Sequence, residues 1–332
     1  MRNTQNSPTG PRGRISFRTI SAAPRATVLL FAGCLWLSAS SFSLDHEAKI
    51  QYDLGETQVP VWSGGALVNF VSNQTSAPTI LSFNDQGHQL PPLVLAIPES
   101  ETIDLDDVAR GTDGAVVACG SAYDRSGRGA GFLAVFTPTG ETATVIRLSP
   151  YFPSRIAVAS DGTIWTAGLE LTNAKDSTPP GGGVIRHFDR AGKVLGSFIP
   201  RSAFSSPLMV RYGMLRSARG RIGWHTGPIA GPGSRYYEIL SDGTVRQYPA
   251  LALGPSERVN GLGLTDDGST YLTTLDRGGK HRFLSIGGPG ESWAEPLLPG
   301  GFDKVFLYGA EGHRLVFFFR DRFTVAFVNV SD

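Results

Sequence analysis

Six polar side chains recur at one offset from a repeated glycine. Thr57, Asp106, Ser154, Tyr212, Asn260 and Lys304 stand eight residues before Gly65, Gly114, Gly162, Gly220, Gly268 and Gly312, respectively. Charged residues crowd the same level: Glu56, Asp104, Asp107, Arg155, Arg211, Arg258 and Asp303. The stretches that follow are mostly apolar, so the repeated polar residue is either a solvated strand entrance or one wall of a shared site. An amide, a phenol, hydroxyls, a carboxylate and cations converging on one point would hold a polar ligand by hydrogen bonds and charge. Thr57, Asp106, Ser154, Arg155, Tyr212, Asn260 and Lys304 are therefore the candidate ligand-binding residues.

Signatures of committed catalysis are missing from the sequence. It has no nucleophile elbow, no phosphate-binding loop, no Cys-x-x-Cys and no His-Glu-x-x-His. His46, His88, His187, His225, His281 and His313 are dispersed rather than set at metal-ligand spacing, which makes them structural imidazoles. Cys119 follows Val116-Val-Ala118 and reads as a buried, inert thiol. Gly127-Arg-Gly-Ala-Gly131 has no helix after it and reads as a hairpin loop. Binding without catalysis is the expectation, with an unknown protein or small molecule as partner.

The elements that must position these residues form a repeat. In Arg155–Gly168 a short alternating strand enters an Asp-Gly turn, and a β-branched and aromatic strand leaves it. Asp-Gly predicts a two-residue hairpin turn with positive φ at both central residues. The pattern returns at Asp113-Gly114 and Asp267-Gly268, and in degenerate form at Gly65, Gly220 and Gly312. The marker glycines are 49, 48, 58, 48 and 44 residues apart. A second turn follows each of the first five markers, as at Asn84–Gly87 and Asp189–Gly192. A period of this length with four short strands per unit predicts a six-bladed β-propeller over residues 45–332. The longest step contains Asn173–Gly183, a Pro- and Gly-rich insertion that, with Pro228–Gly233, would shape one face. The sixth unit lacks a fourth strand, while Ala48–Leu54 belongs to no complete unit. Pairing that segment with Phe323–Val330 would close the ring and remove two open edges, which neither a sandwich nor a solenoid would require.

Composition sets the compartment. The chain has 332 residues, 41% hydrophobic, with 41 Gly and 22 Pro, enough apolar material for a turn-rich core. Arg2, Arg12, Arg14, Arg18 and Arg25 precede an uncharged stretch, Ala26–Leu44. That order reads as a secretory signal over 1–44, cleaved before Ser41 and delivering a secreted or periplasmic protein. Two alternatives stay open: a retained membrane anchor through 26–44, suiting a subunit of a cell-envelope assembly, or lipidation at Cys34. Contact with a membrane is expected only if this segment is retained. Without its five arginines the rest carries 25 basic against 29 acidic residues, which argues against a nucleic-acid partner.

One stretch carries a family resemblance. Arg258-Val-Asn-Gly-Leu-Gly-Leu-Thr-Asp-Asp-Gly-Ser-Thr-Tyr-Leu resembles a blade of the NHL-repeat or gluconolactonase-like (senescence-marker-protein) type of six-bladed propeller. The resemblance implies a divalent metal, Ca2+, with Asn260 as one ligand and Glu56 of Leu54-Gly-Glu56 as another. The family's third ligand is an Asp before Gly, where this chain has Pro299-Gly-Gly301; Asp303 is the candidate replacement. A hard cation needs several oxygens and negative charge, so this departure weakens the implied calcium-dependent lactonase or esterase chemistry.

Overall fold

In the computed structural model the described residues are 41–50, 60–71, 77–171, 182–227, 233–288, 290–302 and 304–331. They fall within one compact unit spanning Ala39–Asp332. Among the described residues the strands form six antiparallel sheets, five of four strands and one of three. Sheet one holds Val61–Ser63, Ala66–Val71, Thr79–Phe83 and Leu93–Val94. Sheet two holds Thr102–Arg110, Val116–Tyr123, Gly129–Phe136 and Thr142–Arg147. Sheet three holds Tyr151–Val158, Ile164–Glu170, Gly183–Phe188 and Val194–Pro200. Sheet four holds Met214–Ala218, Arg221–His225, Tyr236–Leu240 and Val245–Gln247. Sheet five holds Arg258–Leu264, Thr270–Leu275 and His281–Ile286. Sheet six holds Phe306–Glu311, Arg314–Phe319 and Thr324–Ser331, and its fourth strand is Ser41–Lys49.

The first strand of each sheet touches the first strand of the next, and the series returns from sheet six to sheet one. Six buried apolar clusters fill the spaces between neighbouring sheets. Trp165 and Val184 of sheet three, for example, share a cluster with Trp224 and Tyr237 of sheet four. Sheet six packs likewise on sheet one through Phe327, Val316, Trp62 and Leu67. Burying both faces of every sheet explains the near-continuous apolar runs in second strands such as Arg314–Phe319. Sheet five departs from the expected four strands. After Ile286 its outer strand shrinks to one bridge, Ser285 to Ala294. The sequence that follows Ile286 is rich in Gly and Pro, residue types that weaken a ladder.

The sealing strand runs antiparallel to Thr324–Ser331, from Ser41 opposite Ser331 to Lys49 opposite Thr324. Its partner is the one the sequence indicates, but the strand begins seven residues before the expected Ala48. Ser41–Leu44 reads in sequence as the tail of the export segment, yet Phe42 packs edge-on against Tyr271 and Phe283 at 6.0 and 5.6 Å. His46 stacks on Phe327 at 4.3 Å. Residues 51–54 of the expected strand lie outside the described residues.

All six marker glycines have positive φ, from 60° at Gly312 to 105° at Gly268. The three Asp-Gly turns are nonetheless not two-residue turns. Arg110 pairs with Val116, Val158 with Ile164 and Leu264 with Thr270, so five residues form each connection. Only the glycine has positive φ; the aspartate accepts the backbone N–H two residues on, as Asp161 does from Thr163 at 2.9 Å and Asp267 from Ser269 at 2.8 Å. That local bond holds the wider turn. The two-residue turns are the degenerate ones, Gly64-Gly65, Arg219-Gly220 and Gly312-His313.

Candidate functional site

Four of the six first strands carry a β-bulge. The unpaired residues are Asp106, Ser154, Asn260 and Tyr308. Three of these are candidate ligand-binding residues, and they belong to the three sheets with Asp-Gly turns. A bulge adds one residue to one strand and re-aims its side chain. In sheets two and three the neighbouring strand makes room with a glycine. A Cβ on Gly120 would lie 2.0 Å from the Asp104 carbonyl oxygen, and one on Gly168 would lie 2.4 Å from that of Phe152.

The bulge positions are chemically distinct. Burial pushes the Asp106 carboxyl up to about 7, opposed by the charges of Arg211 and Arg155 and aided by Asp104 and Asp107. Arg211 approaches it at 4.0 Å. Burial also raises Asp107, against the charges of Arg155 and Arg216 and despite N–H bonds from Ile156 and Val108, each at 3.0 Å. Arg155 ties this region together, donating Nε to the Gly213 carbonyl at 2.6 Å and Nη1 to the carbonyls of Ser154 and, at 3.4 Å, Asp106. Ser154 is buried and donates to the Ala167 carbonyl at 3.2 Å. Asn260 differs from all of these. It is only 7% exposed, and neither its Oδ1 nor its Nδ2 has a partner among the described residues. A buried primary amide without a partner among the described residues is costly to leave unsatisfied.

The remaining candidates lie elsewhere. Tyr212 is exposed at the C-terminus of a one-turn helix, Leu208–Arg211, which follows the 3-10 turn Arg201–Ala203. These insertions contribute to the longest repeat step and keep Tyr212 out of the first strand of sheet four, while its neighbour Gly213 accepts from Arg155. Lys304 is exposed and precedes the strand beginning at Phe306. The tight Gly312-His313 turn shortens the offset there, so the bulge residue is Tyr308. Thr57, Glu56 and Asp303 lie outside the described residues, as do residues 172–181 and 228–232 of the two face-shaping loops. Of the implied calcium ligands only Asn260 is described, and its free Oδ1 suits a hard cation. Among the described residues no three His, Cys, Asp or Glu side chains come close enough together to hold a metal ion. Cys119 is fully buried and its thiol is pushed up by burial, as an inert core cysteine should be.

The other end of the first strands holds a cavity of about 280 Å³, lined in part by Ser63, Arg110, Arg216, Arg219, Asp266 and Glu311. Sequence reasoning missed this set. The turns differ in length, so no single offset from the glycines collects these residues.

No protein-family model matches the sequence, and no curated protein does either. Among solved structures the chain is similar to a Bacteroides fragilis protein described as exported. Identity is 10% and the TM-score 0.53, covering 89% of this chain and 96% of that one. It is also similar to a Hadza microbial sialidase, at 12% identity and a TM-score of 0.50, covering 83% of this chain and 65% of that one. The fold is of the β-propeller type. At such identities the propeller likeness speaks for architecture and leaves chemistry to the site. Among the described residues no helix is long and apolar enough to cross a membrane.

Proposed function

We propose that this chain is an exported six-bladed β-propeller that binds a polar ligand where its first strands begin, as a scaffold rather than an enzyme. The six sheets, their cyclic contacts and the strand from the chain start in sheet six support the blade count. Asn260 is the observation that carries the binding site: a buried amide with two unpartnered polar atoms, at the bulge position also held by Asp106 and Ser154. Arg155 supplies positive charge beside that level, and Asp106 a carboxyl that changes charge near neutral pH.

The test is a thermal-shift screen of the full chain against sugars, hydroxy acids and amino acids. At least one class should raise the melting temperature, and Asn260→Leu and Asp106→Asn should each abolish that rise while remaining folded. A rise that survives both substitutions would place the ligand elsewhere.

A calcium-dependent hydrolase is the second reading, favoured by the free Asn260 Oδ1 and by an Asp106 carboxyl poised to exchange a proton. Millimolar calcium, then chelator, should raise and then lower the melting temperature if this reading holds. An unchanged melting curve rejects it.

A further inference from the structure

Opposite sides of the ring carry opposite charge where the first strands begin. Sheets two and five are separated by two sheets in either direction around the cycle, so they face each other across its axis. Their first strands match in register. Asp104 stands two residues before the bulge at Asp106, and Arg258 stands two residues before the bulge at Asn260. One side therefore presents two carboxylates, and the other a guanidinium and a primary amide. Lys304, just ahead of the first strand of sheet six, adds a second cation beside sheet five.

These groups lack close partners. Among the described residues neither Asp104 nor Asp106 accepts a side-chain hydrogen bond, although the Asp106 side chain is only 17% exposed. Arg211, more than half exposed, comes no nearer to Asp106 than 4.0 Å. Arg155 is committed to the carbonyls of Gly213, Ser154 and Asp106, and Asp107 accepts the N–H groups of Ile156 and Val108. Across the ring Arg258 and Lys304 are exposed and form no ion pair among the described residues. Asn260 beside them is buried with both amide atoms unpartnered. A largely enclosed carboxylate without a donor is costly, and an ammonium brings it three N–H groups and a positive charge. A carboxylate at the far end of the same ligand would match Arg258 and Lys304 and accept from Asn260 Nδ2. A neutral sugar would leave both charged sides uncompensated, and a simple amine or anion would match only one.

We infer that the ligand of this mouth is a zwitterion, an amino acid whose ammonium meets Asp106 and Asp104 and whose carboxylate meets Arg258, Lys304 and the Asn260 amide. The inference rests on the binding site proposed above and narrows it to one class of ligand.

Isothermal titration of the full chain at neutral pH tests it. Glycine, 4-aminobutanoate and 6-aminohexanoate span short to long charge separations; butylamine and butanoate are the singly charged counterparts, and glucose is the neutral one. At least one amino acid should bind more tightly than butylamine, butanoate and glucose by about tenfold or more. Binding should also release a fraction of a proton, read by repeating the titration in buffers of different ionisation enthalpy. Burial, with Asp104 and Asp107, pushes the Asp106 carboxyl up to about 7 against Arg211 and Arg155, and an adjacent ammonium drives it to ionise. Asp106→Asn should abolish that release, and Arg258→Gln should weaken binding by about tenfold. Arg246→Gln, on the exposed outer strand of sheet four, should change nothing. The inference is overturned if no amino acid binds at about 20 mM, if binding releases no proton, or if Arg258→Gln binds like the parent. Glucose binding that is lost in Asn260→Leu, with no amino acid bound, would overturn it while leaving the broader reading of the mouth standing. The comparison among ligands uses only the unaltered protein, so it decides the matter even if a variant does not fold.

Discussion

Asp106 and Asn260 occupy equivalent bulges, and each is held in a state that costs the fold something. For Asp106 the cost depends on pH. Its carboxyl, raised to about 7 from an ordinary value of 3.8, keeps its proton in the native state over a range where the unfolded chain has lost it. Between those values the native state binds more protons, so stability declines as pH rises from about 4 to about 7. Asp106→Asn should flatten that decline, read as melting temperature against pH; a slope unchanged in the variant would mean another group is responsible. His225 acts in the opposite direction. It is buried, and desolvation lowers its pKa to about 3. The unfolded state therefore takes up a proton first as pH falls below about 6.5, and stability is lost from there toward 3. Asn260→Leu should stabilise the ligand-free protein by about 1 kcal/mol or more, since it removes a buried amide with no partner. Urea unfolding measures this directly, and a destabilised variant would mean that the amide is satisfied after all. Sequence spacing located both residues, because a bulge repeats with its turn. It did not reveal Arg216, which lies buried in the first strand of sheet four.

At the scale of elements, neighbouring sheets are joined by polar as well as apolar contacts. Arg221 of sheet four pairs with Glu238 and also donates to the Thr265 and Ser269 carbonyls, at 2.8 and 2.5 Å, ahead of the second strand of sheet five. Glu238 in turn accepts Tyr236 at 2.8 Å, Tyr248 at 2.6 Å and Thr270 at 3.1 Å. The pair is almost fully enclosed, so removing one partner leaves a buried charge. Glu238→Gln should cost about 3–5 kcal/mol in urea unfolding, whereas replacing both ions with apolar residues of similar volume should cost far less. Turn type was the least legible element property. Asp-Gly signalled positive φ at the glycine correctly, but the aspartate's bond to the backbone two residues later opens a wider turn. Whether a side chain bonds its own backbone is decided by φ and ψ, which residue identity alone does not fix. The missing strand of sheet five was visible only as a cluster of Gly and Pro.

At the scale of the molecule, the repeat period and the deficit of one strand in the last unit were enough to pair a segment near Ala48 with the strand Thr324–Ser331. The offset in the closing strand arose because Ser41–Leu44 serves two readings, apolar tail of an export signal and strand with Phe42 turned to the core. Both can hold if cleavage falls before Ser41, and mass spectrometry of the exported protein should then find Ser41 at its N-terminus. Removing residues 1–49 should lower the melting temperature by about 10 °C or more and promote association through the exposed edge of Thr324–Ser331. A truncated protein as stable as the parent would show that closure contributes little. The hydroxyls of Ser41 and Ser331 meet at 2.6 Å across 290 residues of chain. Contacts of such separation carry the largest loop-closure entropy and form late. A nascent chain therefore cannot complete its last sheet until Thr324–Ser331 has been made, so Ser41–Lys49, among the first strands to be synthesised, is among the last to find its partner.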